Sequence, residues 1–120
     1  MPIEENKVTV ALNSALEWLD LVDNYEYENS WSKAAPYFKN NVTSDKWNQV
    51  LTGVRKPLGT IISRELKSEQ YTKELPGTPD GEYFIIQYNT VFENKSSALE
   101  TVTPMLAQNG KWQVAGYFVK

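Results

Sequence analysis

Hydrophobic positions recur with two different periods along the chain, and the change falls near residue 59. Over residues 8–22, Val8, Ala11, Leu12, Ala15, Trp18, Leu19 and Val22 repeat at helical spacing. Leu16 and Leu21 widen the stripe, which predicts a helix covered on more than one side. The run Asp23-Asn24-Tyr25-Glu26 ends it. A second, shorter helical segment is expected from a Ser30 N-cap, with Trp31, Ala34, Ala35 and Phe38 inward. Pro36 lies too late for a comfortable first turn, so that segment is kinked or very short. A third helix starts from Thr43 or Ser44, with Asp45 favourably placed in its first turn. It buries Trp47, Val50, Leu51 and Val54 and stops at Pro57 and Gly59.

Beyond Gly59 the pattern alternates, predicting strands over residues 60–71, 82–93, 97–107 and 111–119. Their separators are LPGTPDG, Asn94-Lys95 and Asn109-Gly110, the last a two-residue hairpin signal. The expected class is α+β: three N-terminal helices, the first long and central, then a four-stranded antiparallel meander curved around it. Residues 8–120 form one domain behind a flexible stretch, residues 1–7. Within LPGTPDG, Pro76-Gly77 supplies a turn with positive φ available at glycine, and Pro79-Asp80-Gly81 supplies another. The stretch is near LPxTG but has proline after threonine and no apolar tail, so it is no sorting address.

Composition narrows the chemistry more than it suggests one. Of 120 residues, 41% are hydrophobic and 22% charged, which is ordinary globular usage. A net charge of -3, a pI near 5.0 and scattered basic residues argue against a nucleic-acid partner. Cysteine is absent, which excludes disulfides, thiolate metal sites and cysteine nucleophiles. Histidine is absent too, removing histidine metal sites, serine–histidine triads and the usual acid–base group at neutral pH. No cofactor is implied. Carboxylates Asp20, Asp23 and Glu28 near the end of the first helix match no calcium loop and read as a solvated helix end, so no metal site is expected. The start, MPIEENKVTV, has neither the basic nor the apolar region of a signal peptide, and no run of 18 apolar residues spans a membrane.

Several local words resemble the bacterial family called domain of unknown function 4019: ALEWLDLVDNYEYENSW, WNQVLTGVRKPLGTIISREL, LPGTPDGEYFIIQYNTVFENK, ETVT and GKWQVAGYFV. Together they cover nearly the whole chain. The resemblance implies a small α+β domain similar to the cystatin-like or nuclear transport factor 2-like cone folds. It also implies export, because members of that family often carry a signal peptide ahead of the domain. It supplies no activity and no catalytic residues.

Motif-like triplets and quartets read as structure. Ser30-Trp31-Ser32-Lys33 spells SxxK, but SDN and KTG are missing and a helix cap explains it. QVLTG at residues 49–53 is near the QxVxG loop of cystatins, yet it lies inside a helical period. Asn41-Val42-Thr43 and Asn94-Lys95-Ser96 are glycosylation sequons that a bacterial chain leaves bare.

Charges that interrupt apolar faces carry more information. Arg64 shares a strand face with Ile62 and Leu66, and Glu100 shares one with Ala98 and Val102. Arg55 continues the stripe of Trp47, Leu51 and Val54. Unpaired charge in a semi-buried interior is very costly, so Glu100 is expected to pair with Arg64, Arg55 or both. Two readings follow: a buried ion pair tying helix to sheet, or the polar floor of an anion-binding pocket. Aromatic residues are numerous and are expected mainly in the core, with Tyr88 and Tyr117 offering hydroxyls to a cavity. Arg55, Arg64, Glu100, Tyr88 and Tyr117 are therefore the candidate ligand-binding residues. As an enzyme the domain would use Glu100 as base and Tyr88 or Tyr117 as acid, but a carboxylate tied to two guanidiniums makes a poor base. The expectation is a non-catalytic envelope module that binds a partner protein, cell-wall component or small ligand. The alternatives are a small-ligand or anion-binding cone domain with possible enzymatic activity and a self-associating scaffold, for which a homodimer is a candidate.

Overall fold

Among the described residues, 3–120 of the chain, the computed structural model places four α-helices ahead of four strands. The helices are α1 (Ile3–Asp23), α2 (Tyr27–Lys33), α3 (Pro36–Asn41) and α4 (Ser44–Val54), followed by one 3-10 turn, Lys56–Leu58. The strands are β1 (Ile61–Thr72), β2 (Tyr83–Phe92), β3 (Lys95–Leu106) and β4 (Trp112–Val119). The flexibility expected of residues 1–7 falls partly on residues 1–2, outside the described residues; residues 3–7 form the first turns of α1.

Helix α1 buries one stripe, Ala11, Ala15, Trp18, Leu19 and Val22, against the sheet. Two alanines in that stripe let the backbone come close to the strands. Leu16 is 46% exposed, so the helix is covered on one side there, contrary to the wider stripe expected. The helix ends in a left-handed cap: Tyr25 has φ 63, its N–H bonds Val22 O at 3.1 Å, and Glu26 N–H bonds Leu21 O at 2.8 Å. Glycine usually fills that position, because a side chain there costs about 1 kcal/mol. The cap makes Asp23 the last helical residue.

Ser30 is not the N-cap of α2. The helix begins three residues earlier, where Tyr27 buries its ring, and Ser30 sits in its middle. There its hydroxyl donates to Tyr27 O at 2.6 Å and accepts from Trp47 Nε1 at 3.0 Å. Its carbonyl accepts from Trp18 Nε1 at 2.8 Å, so one buried serine satisfies two indoles from α1 and α4. The kink expected at Pro36 is a full break. Ala34 and Ala35 are extended, as residues ahead of a proline tend to be, and Pro36 opens the first turn of α3. This is why four helices stand where three were expected. The Ala35 N–H donates to Val114 O at 2.8 Å, pinning the break to β4.

Helix α4 starts where Thr43 Oγ1 accepts from the Lys46 N–H at 3.1 Å. Trp47 and Leu51 are buried, but Val50 is 37% and Val54 51% exposed. The inward face is rotated towards Trp47, Leu51 and Arg55, one residue per turn, leaving both valines outward.

The strands form a sheet in the order β1-β2-β3-β4, all antiparallel, with β1 and β4 at the edges. Phe84, Ile86, Tyr88, Thr90 and Phe92 of β2 face the helices, alongside Ala98, Glu100 and Val102 of β3. Helix α1 lies over β4, β3 and part of β2. The apolar neighbours of Arg64 on β1 therefore lie open, with Ile62 67% and Leu66 43% exposed. Register shifts at Ile62 and Lys67 bend this edge, and its charges further discourage pairing with other chains. In the β1–β2 loop, Gly77 has φ 81 and Thr78 N–H closes a turn onto Leu75 O at 3.1 Å, as the Pro76-Gly77 pair predicts. The loop folds back over Tyr83, whose hydroxyl donates to Pro79 O at 2.5 Å, while Tyr37 of α3 donates to Gly77 O at 3.0 Å.

Candidate functional site

The charged residues that break the apolar faces meet at the end of the sheet where α1 terminates. Glu100, in the middle of β3, is fully buried. Its Oε1 accepts from Arg64 Nε at 2.7 Å and Thr90 Oγ1 at 2.6 Å. Its Oε2 accepts from a terminal Arg64 nitrogen at 3.1 Å and from the Tyr117 hydroxyl at 2.5 Å. Arg64 reaches it from β1 across the intervening β2, passing the Tyr88 ring with its guanidinium carbon 6.0 Å from the ring centroid.

The other side of the Arg64 guanidinium grips Asp23, with contacts of 2.9 and 3.1 Å. Asp23 Oδ1 also accepts from Arg55 at 3.1 Å. Arg55 itself is 1% exposed, donates to Gly59 O at 2.7 Å and stacks over Phe92 with 4.4 Å to the ring centroid. The result is a chain of alternating charge, Arg55–Asp23–Arg64–Glu100, with two guanidiniums and two carboxylates that balance to zero. A carboxylate at a helix C-terminus is disfavoured by the helix dipole, so Asp23 depends on these two guanidiniums.

Burial opposes the charge on Arg64, but hydrogen bonds to Asp23 and Glu100 outweigh it and hold the guanidinium above its ordinary range. Burial, with the Glu100 carboxylate alongside, pushes the Tyr117 phenol well above its ordinary value. Burial raises the Tyr88 phenol as well, with Arg64 opposing. Both tyrosines are thus held as neutral phenols.

Sequence reasoning brought Arg64 and Glu100 together, and Tyr117 joins them directly. Arg55 does not bond Glu100; as the C-cap of α4 it meets the end of α1 and pairs with Asp23 instead. Tyr88 lies beside Arg64, but its buried hydroxyl has no hydrogen-bond partner, nor has Arg55 Nε. Asp23 was read as part of a solvated helix end, and that reading is corrected: its side chain is 10% exposed and it joins both arginines. It extends the stripe of Leu12 and Leu19 by one turn, which is the signal that could have found it. Thr90 was missed as well; it alternates with Tyr88 and Phe92 on the inner face of β2.

All four carboxylate oxygens of the cluster accept hydrogen bonds from within it. One cleft of about 480 Å³ and another of about 650 Å³ indent the described surface, and Asp23, Arg55, Arg64 and Glu100 line neither of these two. The first lies by Lys7, Lys73 and Glu82, whose carboxyl is held below the usual range by hydrogen bonds from Lys7 and Tyr71. The second lies between α1 and the start of β4. Among the described residues there is no group of three or more carboxylates placed to hold a metal ion, and no helix long and apolar enough to cross a membrane.

Comparison with curated proteins and with solved structures found no match to either. A family model does match, over residues 14–117, which takes in α1 from its middle, the charge cluster and all four strands. The chain belongs to the family described as Protein of unknown function (DUF4019).

Proposed function

We propose that this chain is a non-catalytic binding or interaction module of the bacterial cell envelope. Its scaffold is of the cystatin-like or nuclear transport factor 2-like kind, in which a curved sheet wraps a long helix. One observation carries the non-catalytic part: the carboxylate best placed to act as a base, Glu100, is fully buried and both its oxygens are committed to Arg64, Thr90 and Tyr117. A general base needs a lone pair within reach of substrate, and neither Glu100 oxygen offers one. Exposed apolar side chains on other faces, among them Val10, Leu16 and Phe118, suit contact with a partner. The envelope placement rests on the family, whose members resemble exported proteins.

A second reading, a small-anion binder, is favoured by one observation: Tyr88 OH and Arg55 Nε are buried beside the cluster without partners. Thermal-shift measurements with phosphate, sulfate, acetate and citrate separate the two. The module reading expects no saturable stabilisation by any of them, whereas stabilisation abolished by Arg64→Met would establish the anion site. Osmotic-shock fractionation of the producing bacterium tests the compartment: the chain should leave the cell with envelope markers, and recovery only with cytosolic markers would overturn that part.

A further inference from the structure

The helices pack on one face of the sheet, where Phe84, Ile86, Tyr88 and Val102 join the core. The residues alternating with these point to the opposite face. Among the described residues, the β1–β2 loop covers that face at the Tyr83 end, and the rest of it is open. From Ile85 to Val91 on β2, Leu99 to Met105 on β3 and Gly116 to Phe118 on β4, its outward positions carry no charge. In a chain with 22% charged residues, that is a marked depletion. Loss of charge, with aromatic and methionine side chains present, distinguishes the centre of a protein interface better than hydrophobicity does. Phe118 is 52% exposed here, and Ile85 and Met105 are half-buried. Polar groups on the face already bond one another: Ser68 Oγ donates to Gln87 Oε1 and Gln87 Nε2 donates to Thr101 Oγ1, each at 3.4 Å. Covering them therefore orphans fewer donors and acceptors.

The charges at the two edges select the occupant. Glu65 stands opposite Asn89 and Asn89 opposite Leu99, and Leu99 exchanges both backbone hydrogen bonds with Lys120. These four residues form one row across the face, acidic at the β1 edge and basic at the β4 edge. Lys67, the extra residue at the β1 bulge, lies outside the row. Such a row complements a copy of itself turned about a two-fold axis running along the strands. β1 then lies over the partner's β4, and each Glu65 meets the partner's Lys120. A two-fold axis across the strands would stack each edge on itself and bring like charges together. Four strands about 4.8 Å apart and about ten residues long span roughly 19 by 33 Å, a flat footprint of about 600 Å² before side chains corrugate it. A stable interface takes about 800 Å² of accessible surface from each partner, so the face has the size a second copy needs.

We propose that the chain forms a two-fold dimer by stacking this open sheet face on the same face of a second copy. Phe118 shares a row with Ser68, Gln87 and Thr101, so in the dimer it lies over the partner's Ser68. The inference goes beyond the binding-module reading and does not rest on it: Val10 and Leu16, on the helical side, stay free for other partners.

Sedimentation velocity on the intact chain, from micromolar to millimolar concentration, tests it. The expected result is conversion to a species of twice the 13.7 kDa chain mass. Phe118→Asp should weaken association by about tenfold or more, with the urea midpoint unchanged at a dilution where both proteins are monomeric. Glu65→Lys and Lys120→Glu should each weaken it by about tenfold, and the double variant should restore it, because acid and base meet again across the two-fold axis. A monomer at every concentration overturns the inference and leaves the binding-module reading standing. A dimer that ignores Phe118→Asp, or whose charge reversals fail to compensate, uses another face or another arrangement and overturns it as well.

Discussion

Replacing Glu100 by methionine keeps its volume and removes its charge, which isolates what the cluster contributes. In E100M the two guanidiniums face one carboxylate, and the buried Thr90 and Tyr117 hydroxyls lose their acceptor. Breaking a buried pair by removing one partner costs about 3–5 kcal/mol. For a domain of this size that is a fall in melting temperature of about 10–20 °C. R64M should cost a similar amount, because it leaves two carboxylates facing Arg55 alone. The double variant R64M/E100M restores balance: Asp23 keeps Arg55, and two methionines fill the space. It should be no less stable than either single variant, a coupling of about 3 kcal/mol, at the top of the range for side chains sharing a network. Urea unfolding followed by tryptophan fluorescence measures all four corners of the cycle. If the two losses simply add, within about 0.5 kcal/mol, the pair does not interact and the reasoning fails.

Three further outcomes are expected. Ser30→Ala removes the acceptor of the buried Trp47 indole and should destabilise by about 1–3 kcal/mol in the same urea assay; a neutral result would mean that another acceptor serves Trp47. Gly59→Ala should cost clearly more than Gly77→Ala: both have positive φ, but an added Cβ at Gly59 would meet Glu93 Oε1 at 2.6 Å and Glu93 Cβ at 2.9 Å, while at Gly77 nothing lies within 4 Å. The strain common to both is about 1 kcal/mol, and equal losses would show that the Gly59–Glu93 approach is not tight. Burial raises the phenols of Tyr27, Tyr88 and Tyr117 above the ordinary 10.0. Groups raised in the folded state stabilise it fully below that pH, and the contribution is lost as pH climbs past it, because the unfolded chain ionises first. Phenolate absorbance during an alkaline titration should therefore show Tyr117, which burial and the Glu100 carboxylate both hold neutral, appearing only with unfolding; its ionisation in the folded protein would refute it.

Periodicity carried most of the architecture. The switch from helical to alternating spacing at Gly59 marks the boundary between helices and sheet, and each strand lies within two residues of its expected ends. Alternation along β1 and β3 also placed Arg64 and Glu100 inward, because a register is fixed wherever one face is buried. What was not legible depended on how elements meet. Val54 and Leu66 obey an apolar pattern yet stay exposed, since the face of α4 is rotated and α1 stops short of β1. Ser30 looks like a cap, but tertiary packing of Tyr27 extends the helix past it. Asp23 satisfied two local rules at once, a polar helix end and a continuing stripe, and only the approach of Arg55 and Arg64 decides between them.

That approach is the centre of the account: a neutral, closed chain of ion pairs joining α1, α4 and the sheet, with no open carboxylate. Amide and guanidinium NMR tests it most directly, through the Nε–H signals of Arg55 and Arg64 in the intact protein. The account predicts two slowly exchanging signals that stay in place as phosphate or acetate is added to millimolar concentration. Rapid exchange of both, or a saturable shift with either anion, would contradict it and make the cluster an accessible site.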